Sequence, residues 1–197
     1  MKTRILITFF LLISFCVFAQ QKNLKYVSLI ATYGFSDFHF DNNANHFNPI
    51  GSYNFGIITE TNNKKSLSLS CFVTKKGSKI EYNNFLFNIT YLTIAIQFNY
   101  NLTEKLDFKF GPYMSALIYK KITGDDQHIT STIDDQFKGN DFGIQLVQSL
   151  MLTNRIAIVS NQQLGLRNLQ TESYGFRPNK GDRINNVTVN IGLLYKL

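Results

Sequence analysis

The residues able to do chemistry gather in the polar stretches of this chain. His39 and His46 share one such stretch, FSDFHFDNNANHFNPI, with Asp37 and Asp41. Two imidazoles and two carboxylates make a donor set for a weak metal site, but the many Asn and Asp residues around them suit a solvated loop better. Ser36, Asp37 and His39 are the residue types of a hydrolytic triad, which small membrane-barrel enzymes can turn on lipid. They stand too close together in the sequence to mark one. Asp125, Asp126, Asp134 and Asp135, with His128 nearby, make another polar stretch acidic. Calcium ligation needs acidic residues at set spacing with a turn glycine, and neither DDQH nor DDQF supplies that. No phosphate-binding glycine loop, zinc spacing or dinucleotide fingerprint occurs. The N-x-T triplets at Asn88, Asn101 and Asn186 fall within or beside expected strands and read as chance. The expectation is no catalytic, cofactor-binding or metal-binding residue and no cofactor.

The elements that would position these residues have a plain signature. From Tyr91 the chain reads YLTIAIQFNYNL, then a tight TEK turn, then LDFKFGPY. Leu92, Ile94, Ile96, Phe98, Tyr100 and Leu102 alternate with Thr93, Ala95, Gln97, Asn99 and Asn101. Leu106, Phe108 and Phe110 then alternate with Asp107, Lys109 and Gly111. Period-two alternation makes one face apolar and the other small or polar. A soluble strand runs about 5–6 residues, whereas a tilted membrane-crossing strand needs about 9–11. This hairpin has the membrane length.

Six further strands complete the pattern, joined by turns and loops. Strands are expected over Lys25–Gly34, Ser52–Glu60, Ser66–Lys76, Tyr91–Leu102, Leu106–Tyr119, Asp141–Leu152, Arg155–Leu166 and Asn186–Leu197. TNNKK, TEK and LTN are short turns. Loops are expected over Ser36–Pro49, Gly77 to about Phe87, Lys120–Gly139 and Arg167–Arg183. Long and short connections therefore alternate along the whole chain, as in outer-membrane barrels with short periplasmic turns and longer external loops. A soluble lipocalin-type barrel also alternates, but keeps its apolar face inside. The reading is all-β: an eight-stranded antiparallel up-and-down transmembrane β-barrel, residues 20–197, after a cleaved signal peptide, residues 1–19.

That leader has Lys2 and Arg4 ahead of an apolar core from Ile5 to Phe15, and Val17-Phe18-Ala19 before the cut. The apolar run is shorter than the ~20 residues of a spanning helix, which argues against a membrane anchor. Phe15 is too bulky for the lipobox that Cys16 would otherwise suggest. The whole chain carries a formal net charge of +7. Its basic residues come at most in pairs, as at Lys64-Lys65, Lys75-Lys76 and Lys120-Lys121, and look scattered over strand ends and turns. Nucleic-acid binding wants a clustered patch and is not expected. In an outer membrane such charges could meet lipopolysaccharide phosphates. Cys71, alone after the leader, shares the apolar phase of Leu67, Leu69 and Val73 and reads as a lipid-facing small hydrophobe.

The inward phase is expected to include Ser68, Ser70, Phe72, Gln97, Asn99, Asp107, Lys109, Tyr113, Asp141, Gln145, Asn161, Gln163, Asn190 and Lys196. Asp107 or Asp141 would pair there with Lys109 or Lys196. Gly56, Gly111, Gly143 and Gly192 share that phase, and Phe72 and Tyr113 would use the room they leave. An eight-strand barrel is just wide enough for side chains to fill, so a plugged interior is expected.

FVTKKGSK at 72–79, FGPYMSALI at 110–118, DFGIQL at 141–146 and LGLRNL at 164–169 resemble the landmarks of the Bacteroidetes outer-membrane β-barrel family, which includes the PorT-like proteins. The resemblance implies a barrel in the outer membrane and no single activity. Val187 to Leu197 also resembles the final strand read by the outer-membrane assembly machinery. Expected partners are outer-membrane lipid and lipopolysaccharide, that machinery during biogenesis, and a protein partner no residue pattern specifies. A non-enzymatic structural or interaction role leads. A part in protein secretion or small-solute transport comes second, and a lipid-modifying enzyme last.

Overall fold

Alternating side chains commit each strand to one inward and one outward face, and the backbone closes accordingly. The computed structural model describes residues 24–40, 47–61, 67–80, 85–124, 140–166 and 184–197. The expected leader at residues 1–19 lies outside them. The strands are β1 (Leu24–Phe40), β2 (Phe47–Thr61), β3 (Leu67–Ile80), β4 (Phe85–Asn101), β5 (Leu106–Thr123), β6 (Asn140–Met151), β7 (Ile156–Gly165) and β8 (Ile184–Lys196). Each pairs antiparallel with the next, and β8 closes on β1 through pairs such as Ala31 with Leu193. The result is the expected eight-stranded up-and-down closed barrel. Closure leaves no exposed sheet edge around the ring.

The two faces are inverted relative to a water-soluble barrel. Ile96, Phe98, Tyr100, Phe110, Met114, Ile191 and Leu193 are all exposed on the outside. Gln97, Gln145, Asn161, Asn186 and Asn190 are fully buried inside. Val27, Leu29, Ala31 and Tyr33 keep the expected outward phase. Cys71 keeps that phase too, yet it is buried rather than presented outward. Its register partners Ile57 and Ile94 carry larger, branched side chains on either side of a short thiol.

Several strands run past their expected ends. β1 continues to Phe40 and β2 starts at Phe47, so Ser36, Asp37, His39 and Pro49 belong to strands, not to a loop. β3 reaches Ile80 and β4 starts at Phe85, which shortens the expected loop from Gly77 to Phe87. β5 continues past Tyr119 to Thr123. Asn and Asp are poor strand formers by propensity, but here ladder bonds and burial decide. Phe38 and Phe87 meet edge to face at 5.9 Å between ring centroids. Ser78 donates to Asp37 Oδ1 at 2.7 Å.

β5 also carries a bulge. Thr90 pairs with Tyr119 but the next residue, Tyr91, pairs with Leu117, so Ile118 is the extra residue. An extra residue reverses the phase of whatever follows. Tyr113 and Ser115 point inward before it, whereas beyond it Ile122 is buried and Lys121 is exposed.

Two tight turns share one construction. In LTEKL, the N–H groups of Leu102 and Thr103 donate to Leu106 O, at 3.0 and 3.2 Å. Thr103 Oγ1 accepts from the N–H groups of Lys105 and Leu106, at 3.2 and 3.0 Å. In LTNRI, Leu152 and Thr153 donate to Ile156 O, and Thr153 Oγ1 accepts from Arg155 and Ile156 at 3.2 and 3.0 Å. One threonine hydroxyl thus satisfies two backbone donors that the reversal would leave bare. At about 0.5–1.5 kcal/mol net for a hydrogen bond, Thr103→Val or Thr153→Val should cost about 1 kcal/mol, and the double variant about 2 kcal/mol. Urea unfolding in lipid vesicles would measure this, and Thr103→Ser should restore most of the loss.

Candidate functional site

Every second residue of every strand points into the barrel, so the interior is one continuous side-chain site. Toward the end where β3 finishes and β6 and β8 begin, Lys76, Tyr113, Asp141 and Asn186 converge. Lys76 Nζ donates to Asp141 Oδ2 at 2.9 Å, to Asn186 Oδ1 at 3.2 Å and to Tyr113 OH at 3.3 Å. An ammonium has three N–H donors, and all three are used. Asp141 Oδ2 also accepts from Tyr113 OH at 2.9 Å and from Asn186 Nδ2 at 2.7 Å. Nζ lies 4.5 Å from the Tyr113 ring centroid and 5.7 Å from that of Tyr91, within cation–π range. The side chains of Lys76 and Asp141 are both 0% exposed. Gly165 leaves the room: a Cβ there would stand 2.9 Å from Asn186 Cγ and 3.1 Å from Asp141 Oδ1.

Toward the end that holds the tight turns, a second charge group forms. Lys109 Nζ lies 2.6 Å from Asp107 Oδ2 and 3.2 Å from Glu60 Oε1. Amide and hydroxyl pairs line other parts of the wall. Gln145 donates to Asn161 at 2.8 Å, Ser68 to Asn99 at 2.8 Å and Ser70 to Gln97 at 3.2 Å. Ile30, Ile58, Phe72, Val147, Ala157, Val159 and Leu194 form an apolar cluster inside the same barrel. Phe72 lies against Gly56, where a Cβ would come within 2.8 Å of Phe72 Cδ1, so it does use the space that glycine leaves.

Of the residues expected inside, Ser68, Ser70, Phe72, Gln97, Lys109, Tyr113, Asp141, Gln145, Asn161, Gln163 and Asn190 are buried. Asp107 pairs with Lys109 as expected. Asp141 does not pair with Lys109 or Lys196. Its partner is Lys76, and Lys196 instead lies 4.9 Å from the Tyr26 ring centroid. Sequence reasoning misses Lys76, which reads with Lys75 as a charged doublet at a strand end. The parity of Ser68, Ser70, Phe72 and Thr74 carries straight on to Lys76, and that was the available signal. The apolar cluster was missed for a related reason: Ile30, Ile58 and Leu194 share the inward phase with polar residues and vanish in a count of faces.

Of the chemical candidates, Ser36 and Asp37 have described side chains, and both are bonded elsewhere. Ser36 Oγ accepts from Gly77 N–H at 3.2 Å and from Thr188 Oγ1 at 3.2 Å. Asp37 Oδ1 takes the Ser78 hydroxyl and the Phe38 N–H, the latter at 2.8 Å. The His39 backbone pairs with Asn185 in the ladder rather than standing in a loop. His46, His128, Asp41, Asp125, Asp126, Asp134 and Asp135 lie outside the described residues. Among the described residues, no group of three or more His, Cys, Asp or Glu could hold a metal.

Fold and interior together define a class: a closed eight-stranded antiparallel barrel with an apolar outside and a polar, side-chain-filled inside. No family model matches this chain, and no curated protein does. Among solved structures it is similar to Ail, the attachment invasion locus protein of Yersinia pestis, with a TM-score of 0.46 and 11% identity over 90% of this chain and 100% of that one. It is also similar to the outer membrane protein OprG of Pseudomonas aeruginosa, with a TM-score of 0.40 and 11% identity over 89% and 93% of the two chains. Neither likeness bears on what this chain binds or does.

Removing one partner of a buried ion pair strands the other charge, at a cost of about 3–5 kcal/mol. Lys76→Met and Asp141→Leu should each lose about that much unfolding free energy in vesicles. The double variant should recover at least half of the summed loss, because no charge is then stranded. Additive losses would show that the pair is not coupled.

Proposed function

We propose that this chain is an outer-membrane β-barrel protein with a sealed interior, of the PorT-like Bacteroidetes type, exported by its leader and acting through its external loops in a structural or interaction role. The observation that carries the reading is the inversion of the barrel. Covering a Leu, Ile, Phe or Met side chain is worth about 1.5–3 kcal/mol each, and a whole ring of them faces outward from β1 to β8. Lipid is the solvent that suits such a surface. β4 and β5 have 17 and 18 residues, beyond the ~9–11 of a tilted crossing. Their continuation past the apolar band fits an external rim. β8 keeps an unbroken outward phase of Val187, Val189, Ile191, Leu193 and Tyr195, the amphipathic alternation the assembly machinery would read.

The interior favours an interaction role over transport. Lys76, Asp141 and Tyr113 are closed to solvent, and the apolar cluster around Phe72 fills part of the same section. Open channels belong to barrels of about 16–18 strands. The reading assigns no catalysis.

Three measurements test it. The protein should fractionate with the outer membrane and migrate differently on a denaturing gel before and after boiling. Recovery in the soluble periplasm with a single migration would sink the proposal. In a Cys71→Ser background, Thr123→Cys should react with an impermeant maleimide on intact cells, while Glu104→Cys should not. Purified protein in a planar bilayer should give no steady single-channel conductance, and reproducible openings would promote transport over interaction.

A further inference from the structure

We propose that Lys75, Lys79 and Lys121 form a docking surface, on the outward face of β3–β5, for the phosphate groups of an anionic glycolipid in the surrounding leaflet. The inference rests on the membrane reading above and adds a binding site to it. On β3 the outward phase runs Leu67, Leu69, Cys71 and Val73, then turns cationic at Lys75 and Lys79. On β5 the bulge at Ile118 puts Tyr119 and Lys121 outward. Three ammonium groups therefore share one side of the barrel, at the end away from the tight turns.

The register brings them around a common floor. Gly77 pairs with Asn88, and Asn88 pairs with Lys121. Lys121 thus lies in the row that passes midway between Lys75 and Lys79, with β4 alone between them. At about 4.8 Å per strand, β3 and β5 are about 10 Å apart, a span that flexible lysine stems can close onto one phosphate-bearing headgroup. The floor is apolar over Gly77, where the Ile50 side chain packs (a Cβ there would stand 2.5 Å from Ile50 Cδ1), and polar at Asn88.

Charge and depth point the same way. Lys76 and Lys109 hold ion pairs inside the barrel, and among the described residues no ion pair involves Lys75, Lys79 or Lys121. Asp37, the described carboxylate nearest this end of β1, accepts from Ser78 and Phe38. The positive charge on this outer face is uncompensated by the described protein. Tyr53, paired directly with Lys75, and Tyr119 are exposed on the same outward face. Tyr53, Lys75 and Tyr119 share one row above the apolar side chains, with Lys121 and Lys79 beyond it, an order that runs from hydrocarbon through an aromatic belt to the headgroups. Lysine binds phosphate as a point charge, and the lipid-borne source is favoured because the lysines stand on the lipid-facing phase.

The test uses the full chain folded in neutral detergent, with bis-phosphorylated lipid A as the probe and native mass spectrometry as the readout. At about 1 kcal/mol per lysine near an anionic surface, Lys75→Gln, Lys79→Gln and Lys121→Gln together should weaken binding about a hundredfold. Each single variant should weaken it about fivefold. Lys105→Gln with Arg155→Gln, at the opposite end, should leave it unchanged. Dephosphorylated lipid A should bind the native protein as poorly as the triple variant does, and millimolar inorganic phosphate should not compete. Undiminished binding by the triple variant, equal loss at the opposite end, or equal binding of dephosphorylated lipid would each overturn the proposal. Competition by inorganic phosphate would overturn the lipid-borne source. The gel shift on boiling, read on the same preparations, reports separately whether each variant is a folded barrel and whether the membrane reading stands.

Discussion

A lysine and an aspartate held together without solvent set the terms for the upper half of this barrel. Lys76 and Asp141 come from strands three apart in the ring, so their contact ties β3 to β6 across the interior. Neither charge could be sheltered alone. Tyr113 and Asn186 add donors to Asp141 Oδ2, and Gly165 must remain small for Asn186 and Asp141 to lie where they do. A buried pair of this kind is weak evidence for net stability, because desolvation opposes attraction. It is stronger evidence for register. Sliding any of the contributing strands by one residue would swing its member of the network to the outside.

The remainder of the interior divides the work among residue types. Charges occupy both ends, hydroxyls and amides line the wall, and an apolar cluster lies among them. This mixture explains how a narrow barrel can be full without being uniformly polar. Phe72 and the branched residues fill volume and need no partners, while Ser, Thr, Asn and Gln fill volume and must be matched. Outside, apolar side chains predominate, and polar ones stand among them at Gln148, Ser160 and Gln162 and toward the far end at Lys75, Lys79 and Lys121.

Much of this was legible in the sequence, and what was not has identifiable causes. Alternation over Tyr91–Tyr113 was enough to place strands and phases, since a period of two admits one pairing of faces. The barrel, its strand count and the inward positions of Gln97, Lys109, Tyr113 and Asp141 follow from it. Lys76 was obscured by its neighbour Lys75, because adjacent like residues conceal the fact that a strand sends them to opposite sides. The bulge at Ile118 was illegible, since an added residue leaves no mark in composition. Strand ends such as Ser36–Phe40 were misjudged because weak intrinsic propensity says little once both ladder neighbours are in place. Residue types alone say little about metal or hydrolytic chemistry, and the structure shows Ser36 and Asp37 already bonded elsewhere.

The twin turns, LTEKL and LTNRI, also bear on the order of events as the barrel forms. Each closes its hairpin over a handful of residues and carries its own threonine clasp, so β4–β5 and β6–β7 lose little chain entropy on pairing. The seam between β1 and β8 is the opposite case, joining Ala31 to Leu193 across nearly the whole chain. Contacts of such sequence separation form slowly. The two clasped hairpins are therefore the natural early units. Closure at the β1–β8 seam has to wait for the last-made strand, which leaves both terminal strands as open edges until the final step.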